Sequence, residues 1–416
     1  MKAENWRTTY QDLIENLPIY VEDAQLTICG LSTFVDGYVR LHEADLLWAA
    51  AEGTPEGALG RELFRRASAG IGGEFYLEWP EGARWVDENL RVWRRGIGGS
   101  GAQAAQTLAV LGASALMNLE DRSWEQLSVI HPDILVATEA GLTRCGELPC
   151  GQGGKPAHYI FEFTAGKPLG PIVLKRSSRT IVRFQEEHLD RDPDFERESV
   201  VTAEKAGAGI LSGFNEIGPQ KIDESLRQAV ALAETWRKRG LKTIHLEIGD
   251  YGMAELRGKV LEALSGVISS LGMNYAELAG FPGENRDTVE KAFQIAEKLH
   301  LARLCVHSDT WALTITTGDP QREYQALLCG CLLAAVRAEK GHPCQPAEVP
   351  VQAEFHPLRW EKFRKKGAWT VVSCAAPFLE RPVGTIGLGD TFLAGNLLVL
   401  GGTPGAKADV GAKTIL

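Results

Sequence analysis

Residues 385–391, Thr-Ile-Gly-Leu-Gly-Asp-Thr, join a glycine turn to a single carboxylate at the head of an apolar helix. Gly387 and Gly389 let the backbone bend at little steric cost, so N–H groups from Gly387 through Leu388 and Gly389 to Thr391 can converge on one anion. The positive end of the following helix adds to that field. Asp390 then stands where it can orient a hydroxyl toward a bound phosphoryl group and accept its proton, which is what phosphoryl transfer asks of a protein. At such a helix end the charged form of Asp390 is expected to be favoured, making it a weak resting base. Taken alone, the same residues also describe a short turn with an Asp cap.

Two further pairs carry chemistry. In the strand-like run 242–248, His245 and Glu247 project to one face while Ile244, Leu246 and Ile248 project to the other. A parallel strand buried on both sides should be apolar throughout, and ligands of open α/β sheets bind outside the carboxyl ends of the strands. Two polar residues there point to a ligand; a histidine satisfied within the core is the plainer alternative. Asn274 and Glu277 lie side by side if their segment is helical. An amide and a carboxylate can together hold a hydrated Mg2+ through its waters, because magnesium surrenders water reluctantly. A solvated helix start is the alternative for that pair.

The elements that must position these residues follow a regular rhythm. A first helix is expected near 5–17, then a buried strand over 26–36 that ends at Asp36. Glycines 96–101 open an Ala-rich helix to residue 111, and 114–119 reads as the next strand. Helix 219–239, strand 242–248, helix 254–271, helix 287–299, strand 304–315, helix 320–339 and strand 369–373 complete the pattern. Such alternation predicts an α/β fold, a doubly wound, mainly parallel sheet with helices on both faces. The short alternating runs 158–164, 172–176 and 180–185 predict a small antiparallel β-sheet, a lid, with one face toward solvent. The expected division is therefore 1–36, 96–154 and 191–416 for the large α/β part, and 37–95 with 155–190 for the lid.

Composition narrows the partners. A chain of 416 residues with a formal charge of −10 is large enough for about two to three domains and is a poor ligand for nucleic acid or an anionic membrane. The eight cysteines contain no CxxC pair, and so read as reduced thiols in the cytoplasm. No apolar leader is evident at the N-terminus, and the longest apolar run, 327–336, is too short to span a bilayer.

HxE at 245–247, NxxE at 274–277 and GxGD at 387–390 occur in an order and at spacings that resemble the ADP-dependent glucokinase and phosphofructokinase family of the ribokinase-like superfamily. Thr385 before the turn, 391–396 after it, and the segments 158–163, 212–217 and 305–309 resemble the family as well. The likeness spans most of the chain through short motifs. It implies a Mg2+-dependent sugar kinase with Asp390 as base, Glu277 acting on the metal-water network, Glu247 supporting it, and His245 as a structural or phosphate-side neighbour. It also implies that Asp36, Gly98, Gly99 and His158 contact the sugar, with Asp36 and His158 reaching it from opposite parts of the molecule. Arg179, or Arg183, would receive a sugar phosphate. His307, Val383 and Thr385 would line the nucleotide pocket for ADP or ATP. The chain departs from the family where Asn-Arg-Phe-Ile is replaced by Ser178-Arg-Thr-Ile. An ATP-dependent kinase for another sugar or nucleoside, and a sugar- or nucleotide-sensing relative, are the competing readings; a sensor needs no base, so Asp390 argues against it.

Overall fold

In the computed structural model, which describes residues 5–251, 253–282 and 287–403, the expected α/β architecture is present. Among the described residues eleven strands form the large sheet. Its centre runs Arg303–His307, Ser270–Asn274, Ile244–Glu247, Ala208–Leu211, Thr27–Cys29, Ala115–Met117 and Leu135–Thr138, each strand parallel to the next. Antiparallel strands extend both edges. Helices cover both faces, as parallel strands require. Trp6–Asp23, Ser100–Leu111, Pro320–Lys340 and Leu388–Leu400 enclose one core, with Leu13, Leu108, Leu327 and Leu397. Ile222–Lys238, Ala254–Leu264 and Thr288–Lys298 enclose the other, around Trp236, Val260 and Phe293.

Three expected elements differ. The helix expected over 254–271 ends at Leu264, and Ser270–Asn274 is a strand. Only then does Asn274 cap the short helix Tyr275–Ala279. The strand expected over 304–315 is a hairpin, Arg303–His307 and Trp311–Thr316, turned at 308–310, where Ser308 Oγ meets the N–H groups of Thr310 and Trp311. The strand expected over 26–36 is two: Thr27–Cys29 stays in the large sheet, whereas Phe34–Arg40 crosses into a second one, so Asp36 lies inside a strand and not at its end.

That second sheet has the order Gly73–Tyr76, Ser178–Arg183, His158–Phe163, Phe34–Arg40 and Val92–Gly98. It is mixed, where an antiparallel sheet was expected. Phe34–Arg40 runs parallel to His158–Phe163, and Gly73–Tyr76 runs parallel to Ser178–Arg183. Ile172–Val173 pairs outside it with Pro168–Leu169. Val39, Tyr159, Phe161 and Val182 pack from one face onto Leu59, Leu63, Trp79 and Val86. The alternate positions form a polar face turned the other way. Ile386, just ahead of the Gly387 turn, packs with Tyr38 and Ile160 of that face, and Arg94 Nη1 donates to Gly341 O at 3.0 Å. The polar face therefore looks onto the Gly387 turn.

The helices Pro320–Lys340 and Leu388–Leu400 meet backbone to backbone, since a β-carbon on Gly395 would come within 2.7 Å of Gly330 N. Overpacking this contact should be costly. Gly395→Ala is expected to lower unfolding stability by about 1–3 kcal/mol, read as a lower denaturant midpoint at an unchanged slope; an unaltered midpoint would mean that the helix pair is loosely packed.

Candidate active site

Gly387 has φ +70° and caps the helix Leu388–Leu400 without any side-chain hydrogen bond at the cap. Most side chains resist that backbone conformation. Thr391 N closes the first helical bond on Gly387 O at 2.9 Å, which leaves the N–H groups of Leu388, Gly389 and Asp390 without an intrahelical acceptor. Asp390 is the third helical residue and not the cap. The simple capping role is thereby excluded. Enclosure raises the Asp390 carboxyl above its ordinary value, opposed by Arg337, the Ser100 hydroxyl and Arg179. The helix end was expected to favour the ionised form; desolvation outweighs it.

His245 is 1% exposed. Its Nδ1 meets Ser270 Oγ at 2.8 Å and its Nε2 meets Glu247 Oε2 at 3.1 Å. Arg303 continues the network, donating to Ser270 Oγ at 3.3 Å, Glu323 Oε2 at 2.9 Å and Asn396 Oδ1 at 2.5 Å. Burial holds His245 well below the usual imidazole range, hence neutral, with Arg303 acting in the same direction. The histidine thus orients Glu247 from within the core. Gly272 makes room, since a β-carbon there would come within 2.3 Å of Glu247 Oε2. Burial raises Glu247 strongly, and Glu277 and Asp390 raise it further.

Asn274 and Glu277 form a reciprocal capping box: Asn274 N donates to Glu277 Oε2 at 2.7 Å, and Glu277 N donates to Asn274 Oδ1 at 2.9 Å. One carboxylate oxygen is so committed to the backbone. Burial pushes Glu277 up to about 7, against the Asn274 N–H, with Asp250, Glu74 and Asp390 adding to the rise. Among the described residues no three His, Cys, Asp or Glu side chains are placed to grip a metal directly.

Strand register aligns Asp36 with His158, Ile160 with Ile181, and Ile181 with Glu74, so Asp36, His158, Arg179, Arg183 and Glu74 share the polar face of the small sheet. Asp36 and His158 are neighbours on adjacent strands, which corrects the expectation that they arrive from opposite parts. Asp36, 6% exposed, packs against Gly98, where a β-carbon would come within 2.3 Å of its Oδ1. Burial pushes Asp36 up to about 8, helped by Asp390 and Glu74 and opposed by Arg337 and Arg94. His158 stacks on Phe34 at 4.1 Å and is tied by Nε2 to Glu187 Oε1 at 3.2 Å. Gly99, at φ +92°, caps the helix Ser100–Leu111. Arg179 feels Glu74 on its own sheet and Asp390, Asp309 and Glu277 across from it, and its Nε is buried without an acceptor. Arg183 is committed elsewhere, donating to Glu216 O at 2.6 Å.

His307 leans on the turn: a β-carbon on Gly389 would lie 3.3 Å from its Cε1, and its ring meets Phe392 at 4.8 Å. Burial lowers it to about 4. Val383, 72% exposed, donates its N–H to Ala338 O at 2.7 Å, and Thr385 is half-buried on the approach to the turn. A surface hollow of about 260 Å³ lined by Trp124, Leu127 and Cys145 lies apart from all of these.

Sequence reasoning missed Arg337, whose guanidinium lies beneath Gly387, together with Arg303 and Glu74. The available signal for Arg337 was the first charge after the apolar run 327–336 on one helix.

Residues 57–399 match the ADP-specific Phosphofructokinase/Glucokinase conserved region. An ADP-specific phosphofructokinase of Thermococcus litoralis is 30% identical over 57% of this chain, and the chain spans 61% of that relative's length. An ADP-dependent glucose/glucosamine kinase of Pyrococcus furiosus is 24% identical over 56% of this chain and 58% of its own. A solved structure described as an ADP-dependent kinase complex with fructose-6-phosphate and ADPbetaS superposes at a TM-score of 0.79 over 96% of this chain and 99% of its own, at 18% identity, and so shares the fold.

Two measurements probe this geometry. Gly387→Ala meets both a disfavoured φ and the Arg337 guanidinium, within 2.2 Å of Nη2, and should abolish anion binding at the turn while leaving the helical circular dichroism intact; unchanged phosphate binding would remove the turn from the site. Asp36 holds its proton up to about 8 in the fold and only to about 4 when unfolded, so stability should fall as pH rises through that interval. Asp36→Asn should flatten this slope and raise the melting temperature at pH 8; a parallel decline in both proteins would mean that Asp36 is not the titrating group.

Proposed function

The chain belongs to the ADP-specific phosphofructokinase and glucokinase family, and on that premise we propose that it transfers a phosphoryl group from ADP to a hydroxyl of a hexose phosphate, fructose 6-phosphate, or of a hexose such as glucose. The observation that carries this reading is that the face of the small sheet bearing Asp36 and Arg179 looks onto the Gly387 turn that leads into Asp390, with Ile386 packed against Tyr38 and Ile160 of that face. The N–H groups of Leu388, Gly389 and Asp390 receive the transferring phosphoryl oxygens. Asp390 orients the acceptor hydroxyl and takes its proton late, its raised proton affinity matching that task. Asp36 binds sugar hydroxyls, with Gly98 and Gly99 letting the ring come close and His158 holding the neighbouring strand. Arg179, with a buried Nε still lacking an acceptor, suits a sugar phosphate. The names of the phosphofructokinase relatives support that acceptor and ADP as donor. His307, Val383 and Thr385 flank the nucleotide end.

The carboxylates fit a cation. Glu277 and Asp390 raise the proton affinity of Glu247, and Asp390 raises that of Glu277, a crowding of like charge that a hydrated Mg2+ would relieve. With Glu277 Oε2 held by the backbone, Glu277, Glu247 and Asn274 would bind the ion through its waters. When bound, magnesium neutralises charge on the transferring phosphoryl group. The free thiols suit a cytoplasmic enzyme.

Product formation from ADP and from ATP across a small sugar panel, with and without Mg2+, tests the reading as a whole; no transfer to any sugar from either nucleotide would refute it. Asp390→Asn should leave nucleotide binding nearly intact and lower turnover roughly 10²–10⁴-fold, whereas turnover within a few-fold of the parent would exclude Asp390 as the base. Glu277→Gln should raise the Mg2+ concentration for half-maximal activity; an unchanged titration would leave Asn274 and Glu277 as a helix cap and nothing more.

A further inference from the structure

Arg337 stands on the helix Pro320–Lys340 at 5% exposure, with its guanidinium against the Cα of Gly387. A β-carbon on Gly387 would come within 2.2 Å of Nη2, 2.3 Å of Cζ and 2.5 Å of Nη1. Both terminal nitrogens donate to neutral groups, Nη1 to Thr391 Oγ1 at 2.9 Å and Nη2 to Gln103 Oε1 at 2.8 Å. Those acceptors are themselves held. Gln103 Nε2 donates to Ile97 O at 2.7 Å, and the Thr391 hydroxyl lies 3.3 Å from that of Thr107. Arg337 Nε is buried with no acceptor, and among the described residues no carboxylate forms an ion pair with this guanidinium.

A buried guanidinium without an ion-pair partner is expensive, and folds seldom retain one unless something compensates the charge. The groups that face Arg337 are Asp390 on the helix beside it, Asp36, Tyr38 and Arg94 on the small sheet, and the neutral Gln103 and Thr391. Both carboxylates stand beyond hydrogen-bonding reach. What lies directly against the guanidinium is the backbone of a turn whose next three N–H groups have no acceptor within the helix.

We propose that Arg337 is the counter-charge of the phosphate turn: from beneath the Gly387 backbone it supplies the positive potential that lets a phosphoryl anion settle beside the Asp390 carboxylate. The anion's identity rests on the kinase reading, whereas its place does not. Arg337 acts through the turn and is a positioning residue, touching no reacting atom. Its two hydrogen bonds also keep the helix Ser100–Leu111, which carries Gln103, in register with the helix that carries Asp390.

The test compares Arg337→Gln, which keeps hydrogen-bonding capacity without charge, with Arg337→Lys, which keeps charge without the fork. Binding of inorganic pyrophosphate is followed by calorimetry at fixed ionic strength and needs no turnover. The glutamine variant should bind pyrophosphate about 10-fold or more weakly, and the lysine variant within about threefold of the parent. In the kinase assay the glutamine variant should lose roughly 10²-fold in kcat with the acceptor KM unchanged. Equal losses in both variants would indicate packing in place of charge, and unaltered pyrophosphate affinity in the glutamine variant would overturn the proposal. Should the glutamine variant fail to fold, the lysine variant decides alone, because a folded Arg337→Lys with more than about 10-fold weaker pyrophosphate binding contradicts a role for charge. A parent that binds pyrophosphate yet phosphorylates no sugar would refute the kinase reading and leave this inference standing.

Discussion

Everything at this site depends on the backbone contact between two antiparallel helices at Gly330 and Gly395. Seven residues separate Gly330 from Arg337 and eight separate Gly395 from Gly387, about two helical turns along each. The glycine pair lets the helices approach closely enough for the side chain of one to lie under the N-terminal turn of the other. With larger residues at the crossing the helices would part, and Arg337 would no longer reach Gly387. The helix Leu388–Leu400 is buried along nearly its whole length, so it carries Asp390 rigidly.

Charge is the second constraint. Glu247 on a large-sheet strand, Glu277 and Asp390 on helices beside that sheet, and Asp36 and Glu74 on the small sheet lie in enclosed surroundings, where Asp390 raises the proton affinity of Glu247, Glu277 and Asp36, and Glu74 that of Asp36 and Glu277. Arg337, Arg179 and Arg94 oppose this from below the turn and from the facing sheet. Neither sheet alone holds the balance. Asp36 is shifted both by Asp390 on the helix Leu388–Leu400 and by Glu74 on its own sheet, and Arg179 feels both of these acids. A phosphoryl donor, an acceptor and a hydrated cation would therefore all enter a field composed by two separately built layers.

Polar residues inside the parallel sheet serve this arrangement from behind. His245 is neutral and fully engaged between Ser270 and Glu247, while Arg303 links the same network to Glu323 and Asn396. Asn396 lies on the helix that carries Asp390, so the carboxylate of the HxE motif and the carboxylate of the turn share a buried support. An unsatisfied polar group at this depth would be costly, which is why the network closes on itself.

The sequence determined what periodicity and residue chemistry can encode locally. Alternating strands and helices specified a doubly wound sheet, and the spacing of Gly387, Gly389 and Asp390 specified a glycine turn at a helix N-terminus, because backbone freedom and a helix start are local properties. The resemblance to a kinase family drew the distant motifs together. Boundaries were less legible where apolar runs suit either a helix or a strand, as at 265–274, or where three residues suffice to turn a hairpin, as at 308–310. Tertiary structure alone decided that Phe34–Arg40 leaves the first sheet, that Asp36 and His158 stand side by side, and that Asp390 is raised by enclosure despite its helix end. It alone placed Arg337 beneath Gly387. Burial, strand register and helix crossing arise from contacts between residues far apart in the chain, and no local pattern records them.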